Sequence, residues 1–422
     1  MLRRRSVAAP CALLLLACGG ATSGSASRGS PVAPANPPPQ SCGAGGLLSA
    51  IGKNKLLIGY SGGDDVAAKA PFDLRYQYLA GIIGNGSQKC EDYSWWQCWG
   101  QETGKPPGSQ FVSEYIAQAA THTEVAMFTY YVLLPAARHR IASFSEGPHE
   151  VHRAATDPAF MGAYLADFRT LLDGIGTSLA FVHIEPDFWG YAGQIAIPKG
   201  QDAHSLPAAV DASGDCPSPQ FEKSMAGLGR CMISMVRAHA PNAKVGLHAS
   251  AWGTNYDVLL NRSASLDVTA EAQKLGRFML SLGADMGDFV VADMSDRDAG
   301  CYQQGPPLCE RQADTWWSTD SALPNFAQAF AWSKALADAV GRPVLWWQIP
   351  VGNMNQNDTD THFKDNRVDY LLQHAGDVVA NGAIGLAFGA GQDHQTTPST
   401  DGGNLVNRTN ALAEAGGAPV CP

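Results

Sequence analysis

The chain reads as a single (β/α)8 barrel, and three observations predict it. Eight short apolar runs recur along the 422 residues. Stretches of helical periodicity lie between most of them, which implies parallel strands joined by helical crossovers. The longest polar and Gly-rich insertions follow the runs, on the side where such barrels carry their working loops. The alternatives are a doubly wound open sheet or a distorted seven-stranded barrel. No Gly-x-Gly-x-x-Gly follows the first run and no Gly-x-x-x-x-Gly-Lys-Ser/Thr occurs, so nothing marks a nucleotide-binding sheet.

In chain order, residues 1–17 (MLRRRSVAAPCALLLLA) have the build of a secretory leader, with three arginines ahead of an apolar stretch too short to span a bilayer. Leu15-Leu16-Ala17-Cys18-Gly19 resembles the bacterial lipoprotein cleavage box, which implies lipidation of Cys18 and an outer-membrane or cell-surface location. Residues 18–41 are Gly, Ser, Ala and Pro in the main, a composition that cannot bury a core and reads as a tether. The barrel is expected over 42–422. Its strands are expected at 56–60 (LLIGY), 75–83 (RYQYLAGII), 124–131 (EVAMFTYY) and 179–185 (LAFVHIE). Four more are expected at 244–249 (KVGLHA), 288–293 (DFVVAD), 343–349 (PVLWWQI) and 383–388 (AIGLAF). Helical patterns cover 110–122, 160–174, 220–240, 269–283, 325–340 and 363–381, several ending in Gly as a left-handed C-cap requires. Loops 84–109, 188–219 and 294–325 carry Trp95, Trp96, Trp99, Trp189, Tyr191, Trp316 and Trp317. Such side chains either pack the loops down or stack on sugar rings.

Composition narrows the chemistry. Lys plus Arg number 29 against 39 Asp plus Glu, a net charge of −10. That argues against nucleic acid, whose binding depends on clustered cations, and against acidic polymers. Of the 10 cysteines, Cys11 leaves with the leader and Cys18 is the lipid site. The even remainder in an exported chain predicts disulfides. Local pairs are favoured: Cys90–Cys98, Cys216–Cys231 and Cys301–Cys309, with Cys42–Cys421 joining the ends. No Cys-x-x-Cys occurs, so no metal or other cofactor is expected.

Polar residues at strand C-termini are the catalytic candidates in a barrel. The sharpest are Glu185 and Asp187 in Ile184-Glu185-Pro186-Asp187, because hydrophobic patterning does not end a strand in two carboxylates. Residues two apart on a strand point the same way, about 6–7 Å apart, a separation that suits acid–base cleavage of a glycosidic bond. Asp293 ends the sixth strand and is expected in the same mouth. Asp64, Asp65, Tyr130, Trp189, His248, Trp252, Trp347, Gln348 and Asp393 are expected to hold substrate.

Three stretches resemble the family 6 glycoside hydrolases, the inverting cellulases: Glu185-Pro186-Asp187, Asp293-Met294-Ser295-Asp296-Arg297-Asp298 and His248-Ala249-Ser250-Ala251-Trp252. Their order along the chain differs from that family's. The resemblance implies that Asp187 is a general acid and that the Asp293 stretch lines the site. The expectation is a monomeric, exported, lipid-anchored glycoside hydrolase acting on a neutral polysaccharide or oligosaccharide. The alternatives are a non-catalytic glycan-binding surface lipoprotein, or a polysaccharide lyase or deacetylase.

Overall fold

A computed structural model describes residues 43–84, 89–90, 94–141 and 143–420. They form a closed, all-parallel barrel: β1 (Leu57–Tyr60), β2 (Leu74–Ala80), β3 (Val125–Tyr131), β4 (Phe181–Ile184), β5 (Lys244–His248), β6 (Phe289–Asp293), β7 (Val344–Ile349) and β8 (Ala383–Phe388). Closure is made by β1 against β8, with Leu57 opposite Gly385 and Tyr60 opposite Phe388. All eight expected strands are present and the open-sheet and seven-stranded alternatives are excluded.

Strand parity sorts the apolar residues into two layers. Leu57, Leu74, Tyr76, Met127, Phe181, Phe289, Val291, Leu345 and Trp347 pack together in the barrel interior. Leu47 and Leu48, from the helix Gly43–Ala50, join that interior cluster together with Val420. The alternate residues, among them Ile58, Phe128, Tyr130, Val182, Ile184, Val290 and Trp346, pack in the larger cluster with helix residues such as Tyr164, Phe168, Leu336 and Trp332.

Helix starts follow local capping chemistry. Asp157, Ser224, Asp267 and Asn325 each accept a hydrogen bond from a first-turn backbone N–H of the helices Pro158–Ile175, Met225–His239, Val268–Ser281 and Phe326–Val340. The pattern at 220–240 therefore begins at its Ser224 cap. The pattern expected at 363–381 divides into Arg367–Gln373 and Ala375–Ala380. Residues before Arg367 are held elsewhere: Phe363 N–H donates to Thr396 Oγ1 and Lys364 N–H to Asp358 Oδ1. The stretch expected as a loop from 188 instead opens with a helix, Phe188–Ala196.

The pairs Cys90–Cys98, Cys216–Cys231 and Cys301–Cys309 are disulfide-bonded. Cys18, Cys42 and Cys421 lie outside the described residues. Among the described residues no helix is long and apolar enough to cross a membrane.

Candidate active site

A cleft of about 450 Å³ opens at the C-terminal ends of the strands, within the size range of small-molecule sites. Asp187, His248, Trp252, Asp293, Trp347 and Gln348 line it, as expected from the sequence. So do Tyr191, one of the loop aromatics, and Asp296, in the stretch that follows Asp293, together with Tyr78, Tyr131, Glu146, Asp257, Tyr302 and Arg311, which were not among the expected substrate or catalytic residues.

Asp187 enters the cleft from a strained backbone. β4 ends at Ile184, and Glu185 and Asp187 then take φ of 54° and 70°. Gln348, at the end of β7, has φ 54°. Non-glycine residues rarely adopt these values, and such strain clusters at functional sites. Its consequence is that the two-residue alternation of a strand does not extend to Glu185 and Asp187, and the two carboxyls part. Glu185, expected beside Asp187 in the mouth, is fully buried behind it. Its Oε1 accepts from the N–H groups of Val132 and Leu133, at 3.2 and 3.0 Å, and from Tyr164 Oη at 2.9 Å. It thus ties the end of β4 to the end of β3. Burial outweighs these hydrogen bonds and pushes its pKa up to about 8. Asp187 retains an open edge toward the cleft. Burial raises its pKa to about 6, with Asp293 and Asp296 adding to the rise while His248 and a hydrogen bond from Tyr131 oppose it.

Asp293, the last residue of β6, lines the same cleft as Asp187, with its side chain about a quarter exposed (27%). Its Oδ1 lies 3.1 Å from His248 Nε2. Asp296 is neutralised by Arg297 and receives a hydrogen bond from Tyr302 Oη at 2.5 Å. Trp347 floors the cleft: its ring lies 4.7 Å from that of His183 and 5.0 Å from that of Tyr78. Tyr78 Oη donates to Gln348 Oε1. Tyr191 and Trp252, with centroids 4.9 Å apart, form an aromatic wall.

Several expected binding residues lie elsewhere. Tyr130 faces the helix layer, where its hydroxyl reaches Asp167 Oδ2 at 2.9 Å; the cleft receives its neighbour Tyr131, one residue out of parity. Trp189 is fully buried in the helix Phe188–Ala196, its Nε1 donating to Ile184 O. Asp64 turns outward to Arg75 and Gln118. Asp65 is exposed and accepts a hydrogen bond from the Ser399 hydroxyl at 3.4 Å. Asp393 is exposed and outside the cleft, although Gly391 and Gln392 beside it line the rim.

The loop tryptophans of 84–109 are packing residues. Asp167, buried in the helix Pro158–Ile175, accepts from Trp95 Nε1, Trp96 Nε1 and Gln97 Nε2 at 2.7, 2.8 and 2.7 Å. Gly59-Tyr60-Ser61-Gly62-Gly63 has the spacing of a nucleophile elbow. Ser61 lacks the positive φ of that strained turn and lies outside the cleft. Among the described residues no cluster of three His, Cys, Asp or Glu is placed to hold a metal ion.

No protein-family model matches the chain, and no curated protein matches its sequence. Solved structures with a similar backbone include a family 26 endo-β-1,4-mannanase from Cellulomonas fimi, at 14% identity over 88% of this chain and 74% of that one, TM-score 0.48. A family 5 xyloglucan-specific β-1,4-glucanase from a ruminal metagenomic library is 12% identical over 84% and 87%, TM-score 0.47. A family 1 β-glucosidase from Thermotoga maritima is 11% identical over 84% and 85%, TM-score 0.45.

Proposed function

We propose that the chain is a glycoside hydrolase in which Asp187 is the general acid and Asp293 the base. The observation that carries this reading is a pair of carboxyl groups in unlike environments within one aromatic-walled cleft. Asp187 is desolvated and holds a proton up to about pH 6. Asp293 is more open and accepts a hydrogen bond from His248. Carboxyls differentiated in this way are what glycosidic cleavage needs. Asp187 gives its proton to the glycosidic oxygen as the C–O bond to the leaving sugar breaks. A water attacks the sugar carbon and gives its proton to the Asp293 carboxylate.

Tyr191 and Trp252 offer flat apolar faces to the C–H side of a sugar ring. Of the acidic lining residues, Glu146 and Asp296 are paired with Arg138 and Arg297, and Asp187, Asp257 and Asp293 stand against a single lining guanidinium, Arg311. That balance disfavours anionic glycans and supports a neutral one. The three disulfides support an oxidising compartment. The leader and the Cys18 box support export with lipid anchoring.

The test is a panel of neutral glycans with reducing-end detection. Asp187→Asn and Asp293→Asn should each lower turnover on an accepted glycan by about 100-fold or more, the usual range for a lost acid or base. Binding by calorimetry without release of reducing ends, or full turnover in both variants, would overturn the reading.

A further inference from the structure

Behind Asp293 the barrel interior holds a continuous polar line in a layer otherwise filled by Phe181, Phe289, Leu345 and Trp347. Thr129 Oγ1 lies 3.1 Å from His183 Nδ1, His183 Nε2 lies 3.0 Å from His248 Nδ1, and His248 Nε2 lies 3.1 Å from Asp293 Oδ1. The three residues behind Asp293 come from adjacent strands β3, β4 and β5, and all are within 1% of full burial. Buried polar groups persist in a core only when satisfied, and here each finds its partner in the next.

With both imidazoles neutral, the groups order the line in one direction. An ionised carboxylate only accepts, so His248 Nε2 carries the hydrogen. A neutral imidazole has one N–H, so His248 Nδ1 accepts and His183 Nε2 donates to it. His183 Nδ1 must then accept, and the Thr129 hydroxyl donates. Burial holds His183 well below the ordinary histidine pKa and so in the neutral form that this order requires. The Trp347 ring stands edge-on to both imidazoles, at 4.7 and 5.9 Å, and fixes their planes.

We propose that His183 is a positioning residue: with Thr129 it locks the tautomer of His248, which presents an N–H to one oxygen of Asp293 and leaves the other oxygen to the cleft. The inference rests on Asp293 being the base, and its role is to aim that base. A wrong tautomer at a catalytic histidine is known to disable a site whose geometry is otherwise intact.

The experiment uses full-length protein labelled with ¹⁵N in histidine. The tautomers are read by long-range ¹H–¹⁵N correlation at neutral pH, and the two rings are assigned by the signals lost in His183→Gln and His248→Asn. Both rings should be neutral with hydrogen on Nε2. In His183→Leu, His248 should show a mixture of tautomers, with kcat down about tenfold and KM unchanged. His183→Gln keeps an N–H donor toward His248 and should restore both the single tautomer and most of kcat. Thr129→Val keeps the branched shape, removes only the terminal donor and should lower kcat about fivefold; it serves if His183→Leu does not fold. An Nδ1–H tautomer or an imidazolium at either ring in the wild type overturns the proposal. So does an unchanged His248 tautomer in both His183→Leu and Thr129→Val. The tautomer readings need no substrate, so they judge the chain of hydrogen bonds even if no glycan is cleaved. Failure of the glycan panel alone counts against the hydrolase reading.

Discussion

Glu185 and Asp187 are two residues apart and have opposite fates. Glu185 is sealed beneath the cleft by two backbone donors and Tyr164, while Asp187 opens into it. Glu185→Gln retains a carbonyl oxygen for the same three donors and replaces a group that is already protonated near neutral pH. Activity should therefore stay within about threefold of wild type, whereas loss of a catalytic carboxyl costs 100-fold or more. Steady-state kinetics on an accepted glycan separate the two. Glu185→Ala leaves those donors unpaired and should destabilise by about 2–4 kcal/mol, seen in denaturant unfolding. For Asp187 the sign runs with its proton. A general acid acts while protonated, and its raised value is about 6, so kcat/KM should fall as pH rises through about 6. A pH–rate profile flat to pH 8 would remove Asp187 from that role.

At the scale of elements, the cleft wall is made by loops after β6, β7 and β8 that pack through buried charge. Asp298 accepts from Gly352 N–H and Thr396 N–H, one from each of the other two loops. Arg367, fully buried, donates to Asp365 and to Thr315 O, both at 2.7 Å, and lies 4.6 Å over the Trp317 ring. Thr315, Tyr302 and Arg311 of the same loop line the cleft. Arg367→Met fills much of the space and leaves the Asp365 carboxylate buried without its cation. It should cost about 3–5 kcal/mol, and it should raise KM more than it lowers kcat, because the wall loosens while Asp187, just beyond β4, and Asp293, at the end of β6, keep their places. Unfolding curves and KM together check this; an unchanged KM would mean that the wall stands without the ion pair.

At the scale of the whole molecule, the fold keeps protons that the unfolded chain releases. Burial raises Glu185 to about 8 and Glu124 to about 7 from 4.5, and Asp298 to about 7 from 3.8. Below about pH 4 both states hold these protons and stability is unaffected by them. Between there and pH 8 the unfolded chain ionises first, so it binds fewer protons and stability falls as pH rises. The melting temperature should be higher at pH 5 than at pH 8, by roughly 5 °C. A melting temperature that rises over that interval in calorimetry would show these carboxyls to be ionised in the folded protein.

The sequence by itself determined the barrel. Eight apolar runs with helical patterns between them admit few closures, and hydrophobic periodicity is a local property that the chain carries openly. It also placed Asp187, Asp293, His248, Trp252, Trp347 and Gln348 at one mouth, because strand C-termini converge in a barrel whatever the details. Three local disulfides followed from spacing. Tertiary structure decided which neighbour faces the cleft. Parity assigned Tyr131 to the cleft and Tyr130 to the helix layer. Positive φ at Glu185, Asp187 and Gln348 broke the alternation that a continuing strand would have imposed. Asp167, far along the chain, claimed the indoles that composition offered to sugars. The link from Thr129 through two histidines to Asp293 was invisible in the sequence, because its members lie on four strands and meet only when the barrel closes. Periodicity is written in neighbouring residues, whereas side-chain direction at a strand's end and contact across strands depend on the backbone that the whole fold imposes.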